Sequence, residues 1–123
     1  AALALAQKGF DVAVYEQAPV LSDVGAGVQM SANGSRLFYE LGIGDELSAV
    51  ACHPSGKEIR LWSSGQTWKL FDLGAESIAR YGHPYLMLHR ADMHRVLVDA
   101  LNTLRPGCVN LNHKVKDIQQ EGQ

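Results

Sequence analysis

The first residue that could do chemistry is Glu16, which stands at the end of a short apolar run. The run Phe10–Glu16 is typical of a buried β-strand, and an Ala/Leu-rich helical stretch, Ala1–Lys8, precedes it, with Gly9 placed to end the helix. A helix, a glycine, a buried strand and a terminal carboxylate make up the second half of a βαβ dinucleotide-binding unit. In that unit the carboxylate accepts hydrogen bonds from a ribose. The alternative is an ordinary solvated loop residue.

The first half of such a unit, a strand followed by G-x-G-x-x-G, is not found in the sequence. We expect it to precede Ala1, so the sequence predicts a fragment of a longer nucleotide-binding protein. Gly25-Ala26-Gly27 is no substitute, because the third glycine position holds Met30 and the segment follows a loop. Its small residues predict a backbone that lies close to a ligand or to another segment, or else a flexible surface turn.

The second candidate is Arg90, at the predicted junction of a strand, Tyr85–His89, and an amphipathic helix that begins at Asp92. A guanidinium at this junction can bind a phosphate or a ribose of a cofactor. The alternative is an exposed arginine near a helix start, where the helix dipole does not favour a cation. The apolar face of the helix is predicted to comprise Met93, Val96, Leu97, Ala100, Leu101 and Leu104.

Other kinds of chemistry receive little support from the residue types. The five histidines lack the spacing of a metal site, so we expect no bound metal. Cys52 and Cys108 are far apart and fit a reduced, cytoplasmic chain better than a disulfide framework. With a net charge of −2 and no long apolar run, the chain is not expected to bind nucleic acid or a membrane.

The elements around these candidates alternate between helix and strand. After a loop, Ala18–Gly27, we predict a short extended segment, Val28–Met30. A helix that Asn33 caps and Gly42 ends follows it, and Asp45 is predicted to cap a second short helix. This alternation favours an α/β nucleotide-binding core.

The pattern then changes to alternating polar and apolar residues. Residues 58–62 and 68–73 alternate in this way around a turn, which predicts a β-hairpin directed toward a second domain. Near the end of the chain, Val109, Leu111, Val115 and Ile118 predict one or two closing strands.

Three stretches of the chain carry a family resemblance: Ala2–Ala18, Gly25–Gly42 and His89–Leu97. Together they resemble the FAD-dependent aromatic-ring monooxygenases, the family of salicylate hydroxylase, 3-hydroxybenzoate 6-hydroxylase and 6-hydroxynicotinate 3-monooxygenase. The third stretch is similar to the family's Arg-x-Asp-Leu-His…Leu segment, with Met93 in place of the leucine. The order and spacing of the three stretches extend over nearly the whole chain.

The resemblance implies contacts with FAD at the matching positions. Glu16 would bind the ribose of the adenosine, with Gln17 beside it. Gly27 and Val28 would line the flavin through their backbone, and Arg90 would contact the ribityl-phosphate region. The resemblance also implies NADH or NADPH as a transient reductant, O2 as co-substrate and a small aromatic (hydroxy)carboxylate as substrate. It assigns no catalytic acid or base.

The expected fold class is therefore α/β, a partial Rossmann-like FAD-binding domain over residues 1–123. A β-hairpin insertion at 57–75 is expected to point toward a substrate domain, and residues 109–123 to begin strands that lead onward. Because the family's later Asp-Gly and Gly-Asp segments are missing, we expect the chain alone to be inactive. Two alternatives stay open: an NAD-dependent Rossmann oxidoreductase, which would not need the Gly25–Asn33 stretch, and a truncated non-catalytic remnant.

Overall fold

The computed structural model describes residues 1–21 and 26–120, in which helices and strands alternate. The helices are α1 (Ala2–Gln7), α2 (Ala32–Glu40), α3 (Gly44–Val50), α4 (Ala75–Tyr81) and α5 (Arg90–Leu104). The strands are β1 (Val14–Tyr15), β2 (Gly27–Met30), β3 (Gly56–Arg60), β4 (Thr67–Asp72), β5 (Leu86–His89) and β6 (Val109–Asn110). Part of the predicted loop, including Gly25, and the last three residues of the predicted closing segment lie outside the described residues.

The strands of the described residues pair two by two. β1 and β6 are parallel, with Val14 opposite Val109, as a βαβ arrangement requires. β2 and β5 are antiparallel, with Gly27 opposite His89. β3 and β4 are also antiparallel and form the predicted hairpin. The mixture of helices with parallel and antiparallel strands agrees with the predicted α/β class.

The hydrophobic core lies where β5 meets α1, α3 and α5. Leu86 and Leu88 of β5 are buried, whereas Met87 and His89 between them are exposed, because side chains alternate across a strand. Leu47 of α3 is fully buried beside them. The other buried members of this cluster are Leu3, Ile43 and Val96. The core therefore holds one face of the β2–β5 ladder against helices and leaves the opposite face exposed.

Helix α5 begins at Arg90, two residues before the predicted start at Asp92. His89 is the last residue of β5 and also the N-cap of α5, so no loop separates strand from helix. Asp92 lies inside the first turn, where its negative charge interacts as favourably with the helix dipole as it would at the N-cap. Of the predicted apolar face, Leu104 is 44% exposed, so the buried stripe ends before the helix does.

The predicted N-caps of α2 and α3 are wrong by two residues. Ser31 precedes α2, and Asn33 lies in its first turn, where its Oδ1 accepts a hydrogen bond from the Ser31 hydroxyl. Ile43 precedes α3, and Asp45 lies in its first turn. A polar side chain is common both at the N-cap and in the first turn, so the sequence pattern locates the start of a helix only to within one or two residues. Gly42, with φ of 77°, ends α2 as predicted.

Helix α4 is absent from the sequence-based prediction. It is a short element, and its signals are modest: Gly74 at the N-cap, Glu76 in the first turn and Arg80 in the last. Gly82 follows with φ of 79°, the left-handed conformation that commonly ends a helix. The Gly74-to-Gly82 spacing could have revealed the helix.

Two predicted strands are shorter than expected, because a strand extends only as far as its partner. Of the predicted strand Phe10–Glu16, only Val14–Tyr15 is β-strand, matching the two residues of β6. Beyond β6, Val115 and Ile118 lie in a described segment without helix or strand, and Ile118 is 85% exposed. Apolar residues there do not form the predicted closing strands within residues 26–120.

Replacing Leu47 by alanine should lower the free energy of unfolding by about 2–5 kcal/mol, because a buried leucine leaves a cavity. Leu37 of α2, which is 51% exposed, is the matched control, and Leu37→Ala should cost less than about 1 kcal/mol. Both changes are Leu→Ala within a helix, so their effects on helix propensity are equal. Urea denaturation followed by circular dichroism measures both values. Equal losses would contradict the central position of Leu47.

Candidate functional site

Glu16 directly follows β1, and backbone hydrogen bonds hold it on both sides. Its N–H donates to the carbonyl oxygen of Asn110 at 2.9 Å, and its carbonyl oxygen accepts from the N–H of His113 at 2.8 Å. The side chain turns back across the next loop, where Oε1 accepts a hydrogen bond from the N–H of Ala18 at 2.8 Å. The carboxylate thus lies at the carboxyl end of a parallel strand, the edge where α/β sheets bind ligands.

Arg90 and Glu16 share a pocket, although they are far apart in sequence. The pocket has a volume of about 160 Å³ and lies between the loop after β1 and the start of α5. We call it the Glu16–Arg90 pocket. Its lining among the described residues is Glu16, Ala18, Val20, Leu21, Arg90, Ala91 and His94. It therefore combines a carboxylate, a guanidinium and an imidazole with small apolar walls.

Pairing of β2 with β5 places Gly27 and Val28 beside this pocket. Gly27 pairs with His89 and Val28 with Leu88, and His89 immediately precedes Arg90. The ladder thus brings the backbone of Gly27 to the same end of α5 as the Glu16–Arg90 pocket. A surface cavity of about 230 Å³ follows the ladder at this point.

Nothing among the described residues requires glycine at position 27. A Cβ there would meet the carbonyl oxygen of Leu88 at 3.8 Å, an ordinary contact, and its φ is not in the left-handed region. Gly44 is the opposite case, since a Cβ there would lie 2.3 Å from Cγ of Tyr39. A glycine that the interior does not need fits best with a group that approaches the backbone from outside.

Four of the five predicted contact residues line one of these two cavities, and Gln17 lines neither. Glu16 and Arg90 line one pocket, and Gly27 and Val28 line the neighbouring cavity. Gln17 is exposed in the loop after Glu16 and lines neither cavity among the described residues.

His94 is the pocket residue that sequence reasoning did not assign. The sequence treats it as one of five histidines tested for metal binding, where its spacing is uninformative. It lies four positions after Arg90, and residues four apart share one face of a helix. The spacing from Arg90 is therefore the signal that places it in the pocket. No group of three or more His, Cys, Asp or Glu residues within 1–21 and 26–120 forms a metal-binding cluster.

Comparison of the sequence with known proteins finds similarity to aromatic-ring monooxygenases. The chain is 40% identical over 108 residues to 3-amino-4-hydroxybenzoate 2-monooxygenase of Streptomyces platensis, a match that covers 88% of this chain and 26% of the relative. It is 41% identical over 101 residues to 6-hydroxynicotinate 3-monooxygenase of Pseudomonas fluorescens, covering 82% of this chain and 26% of the relative.

The fold is also similar to that of a solved structure, HpxO of Klebsiella pneumoniae complexed with FAD and uric acid. The TM-score is 0.77 at 26% sequence identity, with 98% of this chain and 29% of that chain covered. The predicted resemblance to FAD-dependent aromatic-ring monooxygenases is therefore confirmed, and so is the Rossmann-like α/β class. The chain spans about a quarter of the length of the curated relatives that it matches. No protein-family model matches it.

None of the helices in residues 1–21 and 26–120 has both the length and the apolar character that a membrane-spanning helix needs.

Gly27→Ala should leave the free energy of unfolding within about 1 kcal/mol of the original, because the added methyl group makes only ordinary contacts. Gly44→Ala should lower it by about 1–3 kcal/mol, because the new methyl group displaces the Tyr39 ring. Thermal and urea denaturation of both variants measure the difference. A destabilised Gly27 variant would show that the glycine serves the interior and not an outside group.

Proposed function

We propose that this chain holds part of the FAD site of a flavoprotein monooxygenase, which hydroxylates an aromatic (hydroxy)carboxylate with NADH or NADPH and O2. One observation carries the proposal: Glu16 and Arg90 line one pocket, and the exposed backbone of Gly27 lies at the same end of α5. A carboxylate suits ribose hydroxyls, and a guanidinium suits phosphate. The names of the relatives, which act on aminohydroxybenzoate and hydroxynicotinate, support the substrate class.

The contacts of Glu16 fit the role of a ribose ligand. The N–H of Ala18 occupies one position on Oε1, and a carboxylate offers about four lone-pair sites in all. Two vicinal hydroxyls can therefore donate to the same group without breaking the loop contact. We propose that Gln17 lies beside this ribose.

Arg90 is proposed to bind the phosphate region of FAD. Its place at the first position of α5 adds the unpaired N–H groups of the helix start to its own charge. Gly27 and Val28 are proposed to line the flavin through their backbone, because a strand without a side chain at one position lets a flat ring come close.

The chemistry of the reaction would come from the cofactor. Held by Glu16, Gly27, Val28 and Arg90, FAD would supply the redox chemistry of the reaction, which uses the electrons of NADH or NADPH and O2 to hydroxylate the ring with water as the second product. This chain's residues would orient the cofactor and shield it from water on the exposed face of the β2–β5 ladder, where Gly27 lies. No residue of the chain is assigned as a catalytic acid or base.

The surroundings of this site are also proposed from the described residues. We propose that residues 1–123 belong to the FAD-binding domain, that the hairpin at 57–75 projects toward a substrate domain, and that 109–123 lead onward. Exposed apolar side chains on the hairpin, such as Ile59 and Trp68, support a covering partner. A cytoplasmic location is proposed because Cys52 and Cys108 are free thiols.

Arg90→Gln should weaken FAD binding by about 10- to 100-fold, the loss typical of a charge-assisted hydrogen bond to phosphate. Arg95→Gln is the matched control, since Arg95 is on the same helix and pairs with Asp92 at 3.2 Å outside the pocket. The protein should be expressed from its own gene, stripped of flavin and titrated with FAD, with flavin fluorescence as the readout. Equal losses in both variants would argue against a phosphate contact by Arg90.

Glu16→Gln should weaken FAD binding by about tenfold and leave FMN binding unchanged, because FMN lacks the adenosine ribose. Glutamine keeps an acceptor for the N–H of Ala18, so the loop conformation is preserved. Parallel titrations with FAD and FMN separate the two effects. Loss of affinity for both flavins would contradict a contact between Glu16 and the adenosine ribose. Absence of FAD binding by the unsubstituted protein would refute the proposed function itself.

A further inference from the structure

A hydrogen-bonded polar pair, Gln29 and Tyr85, lies close to the proposed flavin contact. Gln29 is two residues after Gly27 on β2, so it shares the exposed face of the strand about 7 Å further along. The hydroxyl of Tyr85, just before β5, donates to Oε1 of Gln29 at 2.8 Å. This contact joins two segments that the ladder already holds in register.

The hydrogen bond determines what the pair can offer a ligand. With Oε1 of Gln29 occupied, the amide presents its two N–H groups as donors, and the phenolic oxygen keeps lone pairs as an acceptor. Among residues 1–21 and 26–120, no protein group accepts from these N–H groups. The pair is therefore an oriented donor site for an oxygen atom that comes from outside.

Two cavities flank the pair. Gln29 lines the 230 Å³ cavity along the ladder, where the flavin is proposed. Tyr85 lines a larger cavity of about 590 Å³, which we call the Tyr85 cavity. This volume is within the range of roughly 300–1,000 Å³ typical of small-molecule sites. The pair therefore stands at the boundary between the proposed flavin position and the larger cavity.

The walls of the Tyr85 cavity suit an aromatic ring. They come from the start of α2, from β4 and from α4, and include the side chains of Phe71, Leu73 and Tyr81. Asp72, Glu76 and Arg80 also line it, so its carboxylates outnumber its cations. Asp72 is already engaged, with Lys69 at 3.5 Å. With Asp72 paired, Glu76 and Arg80 leave the walls without a net positive charge for an anionic group, so apolar contact and a neutral donor are the interactions that the cavity offers a ring.

We propose that the Tyr85 cavity receives the aromatic ring of the substrate and that Gln29 is a substrate-positioning residue. Its amide N–H groups bind the ring-hydroxyl oxygen of a phenol or hydroxypyridine, and Tyr85 holds the amide in the required orientation. This inference rests on the proposed function, because it places the ring on the side of Gln29 away from the flavin contact at Gly27. It assigns the ring hydroxyl, and not the carboxylate, to this pair.

The test uses the FAD-loaded protein expressed from its own gene. The probes are 3-hydroxybenzoate, 4-hydroxybenzoate and 6-hydroxynicotinate, each compared with benzoate or nicotinate, which lack the ring hydroxyl. Binding is measured from the change in the flavin absorbance spectrum. We expect the unsubstituted protein to bind at least one hydroxylated ring about tenfold or more tightly than its parent ring.

Gln29→Leu should remove this preference, and Tyr85→Phe should reduce it by about three- to tenfold, because the ring of Tyr85 stays but the amide is no longer oriented. Each variant is first titrated with FAD, and the preference is measured at saturating FAD, because Gln29 also lines the cavity proposed for the flavin. Gln66→Leu, in the turn between β3 and β4, is the control and should keep the preference.

Three results would overturn the inference. One is a Gln29→Leu protein that binds FAD and keeps the full preference. Another is an unsubstituted FAD-loaded protein without any preference, including one that binds none of the probes. The third is a loss of preference equally large in Gln66→Leu. In each case the FAD titration still reports on the proposed function by itself, so the two failures are distinguishable.

Discussion

The pairing of β2 with β5 is the interaction on which both the core and the candidate site depend. One face of this ladder buries Leu86 and Leu88 against the helices, and the opposite face carries Gly27 and Gln29 at the surface. Because side chains alternate with a period of two, a shift of one residue would turn the core residues outward and the site residues inward. Burial of the two leucines therefore holds the register of the site, although neither leucine touches a ligand in the proposal.

Helix α5 connects the β2–β5 ladder to the rest of the site. It begins without a loop at the end of β5, so the position of Arg90 follows from that of His89. At its other end the chain turns at Gly107 and enters β6, which pairs with β1 and so positions Glu16. One helix thus connects the strand beside Gly27 with the strand beside Glu16. Helices α1 and α3 both pack on α5 and support its position.

The β3–β4 hairpin differs from the remainder of the fold in its energetics. Nearly all of its residues are exposed, so little apolar burial within the described residues supports it. A two-stranded hairpin is marginally stable on its own in water. The same hairpin supplies Phe71 and Asp72 to the Tyr85 cavity, whereas Tyr85 is half-buried and directly precedes the fully buried Leu86 of β5. The proposed substrate cavity therefore has one firmly held wall and one whose stability is mostly local, a common arrangement where a site must admit a ligand.

The sequence by itself predicted the α/β class, the hairpin and the helix ends at Gly9 and Gly42, and it named Glu16 and Arg90 as candidate residues. These features could be predicted because periodicity and glycine conformation act over a few residues. The ends of elements were not determined in this way. The length of β1 depends on β6, about a hundred residues later, and α5 starts early because β5 continues directly into it. Only the tertiary structure put Glu16, Arg90 and His94 around one pocket, since no local rule relates the end of β1 to the start of α5. The same holds for Gln29 and Tyr85, whose contact exists because two distant strands pair in one register.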